Sequence, residues 1–248
     1  MISEKQNRKL SSAICSRLRG KKICLCSSND KMQELMKQSL NDINSQNQLE
    51  LQILTMREIQ DGGSVNLAVV TAHIQGNGSE CLKQLDEQLE ELIKIRESRP
   101  ESLVYVSDSC VYGKSFGPLV SCREEEMGYV CHTSLEEMNR QCMRMAEHMV
   151  CRMAKEENMP VKVIRINRNA DAEEMRMMMP YILGILLNGS SGEIYNVSAD
   201  LQEQEIRETA EDENSPLVWK ENRSPLTAME IRLNTEKVRN YVASELFE

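Results

Sequence analysis

Apolar segments of strand length alternate with amphipathic segments of helical length through most of this chain, and few architectures accommodate that alternation. Lys21-Lys22-Ile23-Cys24-Leu25-Cys26 is a compact apolar run, and Met32 to Leu40 follows with Met32, Leu35, Met36 and Leu40 at helical spacing. Leu49 to Leu54 alternates like a second strand, Gly62-Gly63 marks a turn, and Val65 to Thr71 reads as a fully buried strand. Residues 80–98 carry Leu82, Leu85, Leu89 and Leu92 as one stripe, closed by Pro100, before the strand Leu103 to Ser107. A long helix is expected over 134–157, opened by a Ser134/Glu137 capping box. Val161 to Ile166 is the next strand, 172–187 an amphipathic helix and Glu193 to Val197 a final core strand. Strands separated by helices pair in parallel, because each crossover returns over a sheet face. The expected fold is therefore α/β, with a parallel sheet and helices on both faces.

Residues 1–19 read as a polar N-terminal leader with room for one short helix, residues 20–198 as the α/β domain, and 199–248 as a small C-terminal lobe with peripheral helices at 203–210 and 234–246. The net charge of −9 gives no basic footprint for nucleic acid or anionic lipid, and no apolar stretch is long enough to span a bilayer. Nine cysteines without a C-x-x-C pair read as reduced thiols of a cytoplasmic protein, with no metal-ligand spacing. With two phenylalanines and sixteen methionines, the core must be built from Leu, Ile, Val and Met.

Several short motifs occur in a fixed order. Tyr105-Val106-Ser107-Asp108-Ser109-Cys110-Val111-Tyr112-Gly113 is followed by the acidic run Glu124-Glu125-Glu126, by Ala146-Glu147 on the long helix, by Pro160-Val161-Lys162-Val163-Ile164-Arg165-Ile166, and by Gly192-Glu193-Ile194-Tyr195-Asn196-Val197. This order resembles the extended short-chain dehydrogenase/reductase family, specifically its NAD-dependent nucleotide-sugar epimerases and dehydratases, over roughly residues 20–240. The resemblance implies a Rossmann-like domain with a reduced C-terminal lobe, the Ile164–Asn167 region and later segments contributing to the substrate lobe.

The resemblance also implies NAD and a tyrosine–lysine pair, and the residues depart from both. A pyrophosphate needs glycines after the first strand, so that backbone can approach it closely; alignment puts Ser27, Asp30 and Gln33 at those positions. A carboxylate about 5 Å from a phosphate charge repels it by roughly 3 kcal/mol at an effective dielectric of about 20. Asn29 or Asp30 reads instead as a helix N-cap. Only Thr55 to Ser64 separates the second strand from the next, too little for the helix and strand the family places there. Anchoring on Ala146-Glu147 places Asn139 at the tyrosine position and Met143 at the lysine position, and no tyrosine in the chain has a lysine four residues later. The strand-end hydroxyl position falls on Asp108, with Ser109 beside it.

Other catalytic constellations are absent or incomplete. His73, His132 and His148 are scattered, Cys110 has no adjacent base, and no nucleophile elbow or Walker sequence occurs. Helix 134–157 is apolar on two sides, with Met138, Cys142, Met145 and Met149 on one and Met143, Ala146, Val150 and Ala154 on the other. One side can cover the sheet and leave the other for a partner. The resemblance implies an intermolecular helix bundle, hence a homodimer, or a heterodimer with an intact homologue, through helices 80–98 and 134–157. The expectation is a non-catalytic relative that needs no cofactor and acts by association or by holding a sugar nucleotide. The alternative is an active epimerase or dehydratase with a remodelled site, using NAD with Asp108 and Ser109 as its acid/base groups.

Overall fold

The computed structural model describes residues 9–56, 58–59, 64–76, 78–113, 121–128, 130, 137–167, 170–199, 232–240 and 244–247. Six parallel strands form one sheet in the order β2-β1-β3-β4-β6-β7: β1 Lys22–Ser27, β2 Gln52–Thr55, β3 Leu67–Thr71, β4 Ser102–Asp108, β6 Val161–Ile166 and β7 Ile194–Asn196. Register is continuous across the centre, with Ile23 opposite Leu67, Leu67 opposite Ser102 and Leu103 opposite Val161. The fold is the expected Rossmann-like α/β sandwich. Its chain order reverses between β1 and β3, because β1 leads outward to β2 and the chain then crosses back to β3 on the other side.

Two cores cover the two faces. On one, α1 (Ser12–Leu18), α2 (Asp30–Asn47) and α5 (Ala172–Asn188) bury Ile14, Leu18, Met36, Leu40, Met175, Met178 and Met179 against Leu25, Val69 and Val104. On the other, α3 (Gly78–Glu97) and α4 (Met138–Glu156) pack Cys81, Leu85, Leu92, Met143, Ala146 and Val150 against Ala68, Val70, Leu103 and Val163. Methionine does supply much of the packing around α5, as the scarcity of phenylalanine requires.

Several elements differ from expectation. Helix α2 runs to Asn47, because Ile43 continues the buried stripe of Met36 and Leu40 through a segment whose other residues are polar. The second strand begins at Gln52 instead of Leu49: Gln48 and Glu50 take left-handed φ of 50° and 56°. Leu49 and Leu51 are buried in a turn that Asn44 braces by bonding both the N–H and the C=O of Leu51. The leucine stripe of α3 is split. Leu85 and Leu92 face the sheet, whereas Leu82 is 52% exposed. Cys142, grouped by spacing with the exposed Met145 and Met149 of α4, is buried beside Met143 and Ala146. Of the expected capping box, Ser134 lies outside the described residues. Glu137 makes no cap bond and instead pairs with Arg140 at 3.3 Å.

The ends of the described chain meet. Leu10 forms an antiparallel bridge with Phe247, Ser11 N–H donates to Leu246 O at 2.9 Å, and Ser11 Oγ donates to Glu245 O at 2.6 Å. The first nineteen residues thus contain α1, whose Ile14 and Leu18 lie in the main core. Of the C-terminal lobe, β8 (Arg232–Leu233) pairs in parallel with β5 (Ser121–Cys122), and α6 (Glu236–Val238) and α7 (Ser244–Leu246) are three-residue turns within the expected helix 234–246. The expected helix 203–210 lies outside the described residues.

Candidate functional site

In an open parallel sheet a ligand crevice forms at the carboxyl ends of the strands where chain order reverses, which here is the mouth between β1 and β3. Asn29 stands in it as the N-cap of α2, its side-chain oxygen accepting the Met32 N–H at 3.0 Å. Its amide nitrogen reaches across to the His73 ring, 3.1 Å from Nδ1. Ser27 Oγ exchanges bonds with the backbone of Asn29 at 3.1 and 3.2 Å. Gln33 turns its side chain back onto the strand, donating to Leu25 O at 3.3 Å. Asp30 is the exposed first residue of the helix, where a carboxylate suits the positive end of the dipole. The three positions aligned with glycines therefore hold two side chains bonded to neighbouring backbone and one helix-start carboxylate. Of the first helical donors, the Met32 N–H is taken by the Asn29 side chain. With side chains in place of all three glycines, these residues do not fit a dinucleotide pyrophosphate, which needs close approach to bare backbone. Beyond β2, Glu58 N–H donates to Thr55 O, and Glu58 Oε2 accepts from the Thr55 N–H and hydroxyl.

At the end of β4, Asp108 is half-buried and caps the short 3-10 turn Ser109–Tyr112, its carboxylate accepting the Cys110 N–H at 2.7 Å. Ser109 and Cys110 are buried within that turn. Asn139 is half-buried in the first turn of α4, where its side-chain oxygen accepts the Arg140 N–H at 2.8 Å. Met143 is 1% exposed and belongs to the core under α4. Asp108 and Ser109 are thus placed together on one loop, and Asn139 and Met143 on one helix.

What the strand ends do carry is a buried polar network that the residue pattern contained but spacing alone did not reveal. Arg165, 2% exposed at the end of β6, donates from Nη2 to Glu147 Oε2 at 2.8 Å and from Nε to Glu147 Oε1 at 3.1 Å. Its Nη1 donates to Glu124 O at 2.8 Å, and its guanidinium lies 4.7 Å from the centre of the Tyr112 ring. Tyr112 Oη donates to Asn196 Oδ1 at 2.6 Å, Asn196 Nδ2 donates to Cys122 O, and Asn196 N–H donates to Glu124 Oε1. Burial works against the charge on Arg165, but the bonds and charge of Glu147 outweigh it and hold the guanidinium above its ordinary range. Burial pushes the Tyr112 phenol up to about 12, with Arg165 opposing. Glu124, the first residue of the acidic run, is thus one anchor of this network. The readable signal was a charged residue inside each of two apolar patterns, Arg165 in Val161–Ile166 and Glu147 between Met143 and Val150.

Of the remaining candidates, His132 lies outside the described residues and His148 is exposed on α4. Tyr105 Oη, fully buried, donates to Gln88 Oε1 at 3.0 Å, and burial holds this phenol far above its ordinary range. Cys24 is pushed up to about 12, first by burial and then by Glu91, and Cys26 is raised further for the same reasons. Neither is a thiolate at neutral pH. Among the described residues no His/Cys/Asp/Glu group is arranged to hold a metal ion, and no helix is long and apolar enough to cross a membrane.

No protein-family model and no curated protein sequence matches the chain. Solved structures do match its backbone. The epimerase Mth375 from Methanothermobacter thermautotrophicus superposes with a TM-score of 0.57 at 10% identity, covering 94% of this chain and 90% of that one. RMD from Pseudomonas aeruginosa, solved in complex with NADPH, gives 0.52 at 12% identity over 72% and 77% of the two chains. The UDP-N-acetylglucosamine 4-epimerase from Bacillus cereus gives 0.50 at 14% identity over 72% and 75%. The chain shares the fold of these proteins, as the ordered motifs implied.

Proposed function

We propose that this chain is a non-catalytic relative of the NAD-dependent nucleotide-sugar epimerases and dehydratases, which keeps their scaffold for association and has given up their redox reaction. The observation that carries this reading is the side-chain closure of the β1–β3 crevice, where Asn29 spans to His73 and Gln33 bonds back to Leu25. In the resembled family the nicotinamide takes a hydride while a tyrosine, with its pKa lowered by a lysine, moves the proton. Here Met143 fills the lysine position from within the core, so an added ammonium there would be buried among Ala146, Val150 and Leu103. A remodelled active site using Asp108 is less well supported, because its carboxylate already serves a backbone cap.

Association is supported by where the exposed apolar surface lies. Leu82 and Ile93 on α3 and Met145 and Met149 on α4 are each at least 40% exposed. Helix α3 carries six acidic and three basic residues, and α4 four basic and two acidic. A two-fold that sets α3 of one copy against α4 of another brings opposite charges around an apolar seam, so the partner proposed is a second copy of this chain. The test is thermal unfolding of the purified protein with and without NAD, NADP and a UDP-sugar, alongside light scattering. The expected result is no dinucleotide-dependent shift and a dimer mass. A dinucleotide shift of several degrees, or co-purified NAD, would overturn the non-catalytic reading.

A further inference from the structure

A second cleft lies on the opposite edge of the sheet, at the amino ends of β3, β4 and β6, with a volume of about 410 Å³. That is within the range of small-molecule sites. Ser16, Arg17, Lys21, Glu101, Ser102 and Lys162 line it, together with the half-buried Leu187. Lys162 and Ser102 are only 5% and 6% exposed. The Ser102 hydroxyl gives its one proton to Leu186 O at 2.5 Å and accepts from Lys162 Nζ at 2.6 Å. Lys162 Nζ also reaches Leu186 O at 3.4 Å, which leaves one of its three donors uncommitted. Arg17 donates to Leu187 O at 2.6 Å and to the Asn188 side chain, using two of its five donors.

The charges in this cleft do not balance. Glu101 takes Lys21 in a two-oxygen ion pair at 2.7 and 2.8 Å. Lys162 and Arg17 make no ion pair with any described acid. Burial and the nearby Arg17 charge bring the Lys162 amine down to about 8. The carboxyl end of α5 offsets only part of two positive charges, since a helix end is worth about half a unit charge. Two uncompensated cations, one almost fully buried, facing a polar cleft in a chain of net charge −9, are the surroundings of an anion.

We propose that this cleft binds a phosphate group carried on a small molecule, a dianion matched to the pair Lys162 and Arg17, with the rest of the ligand beside Leu187. The site is separated by the full length of the strands from the crevice between β1 and β3. It stands whether or not the association reading holds.

Inorganic phosphate is the probe, added to the full-length protein at constant ionic strength with chloride as the control. Carbon-13 NMR of lysine labelled at the ε-carbon reads the Lys162 titration directly. Saturating phosphate should raise its midpoint by about one pH unit, because a bound anion favours the ammonium. By calorimetry, Arg17→Gln should weaken phosphate binding roughly tenfold, the loss of one charge-assisted bond. Arg17 is exposed, so the fold survives that change. Arg19→Gln, an exposed neighbour that does not line the cleft, should leave binding unchanged. A Lys162 midpoint indifferent to phosphate, or equal losses in the two arginine variants, would sink the proposal.

Discussion

Arg165 and Glu147 form an ion pair sealed from solvent, at 2% and 4% exposure, and the value of such a pair lies in its completeness. Removing one partner leaves a buried charge without compensation, which costs about 3–5 kcal/mol. Glu147→Ala should therefore lower the urea midpoint markedly, whereas Arg152→Ala, which breaks an exposed pair with Glu156 one helical turn away, should leave it nearly unchanged. The thiols supply a pH dependence of known sign. Cys24 ionises near 9.0 in the unfolded chain and at about 12 when folded, so the folded state holds that proton longer. Its contribution is fully present below pH 9 and is lost as pH rises towards 12. Cys26 acts in the same direction. Double replacement of Cys24 and Cys26 by alanine should flatten the decline in stability between pH 9 and 11, followed by equilibrium unfolding. Residue identity alone carried the expectation of a degenerate site at Ser27, Asp30, Gln33, Asn139 and Met143, because a glycine or a lysine cannot be imitated. It did not reveal what replaces them, since the Asn29–His73 contact joins residues 44 positions apart whose meeting depends on strand pairing.

At the scale of elements, α3 and α4 show how far periodicity reaches. The pattern on α4 named two apolar sides without choosing between them, and it is the side of Met143, Ala146, Val150 and Ala154 that is buried. It could not sort Cys142 or the leucines of α3, because a helix lying beside another helix and over a sheet buries an arc wider than one heptad row. Leu82 and Leu85 are one turn apart in the pattern and opposite in exposure. The outward residues make the element-scale prediction. Met145→Glu combined with Leu82→Glu introduces four like charges into the proposed two-fold seam, and light scattering should then give a monomer mass with the far-ultraviolet dichroism unchanged. Retention of the dimer mass would place the interface elsewhere. The short passage from β2 to β3 was legible for a simpler reason, since ten residues cannot contain both a helix and a strand.

For the molecule as a whole, parallel topology followed from alternation alone, and the six-stranded sheet confirms it. Less was visible of how the ends are handled, because a polar segment such as residues 9–19 gives little periodic signal. Only the fold brings Ile14 and Leu18 onto the same core as Leu246. The bridge from Leu10 to Phe247, with the bonds from Ser11 to Glu245 and Leu246, makes the folded chain nearly a closed ring. A ring can be cut at another point. Joining residues 10 and 247 by a short peptide and opening the exposed turn at Ser190–Gly192 should give a circular permutant that unfolds cooperatively, with a melting temperature within a few degrees of the parent. Such a permutant would place both new ends beside β7, at the far rim of the sheet from β2, and so turn that rim into the molecule's point of attachment to whatever is fused there.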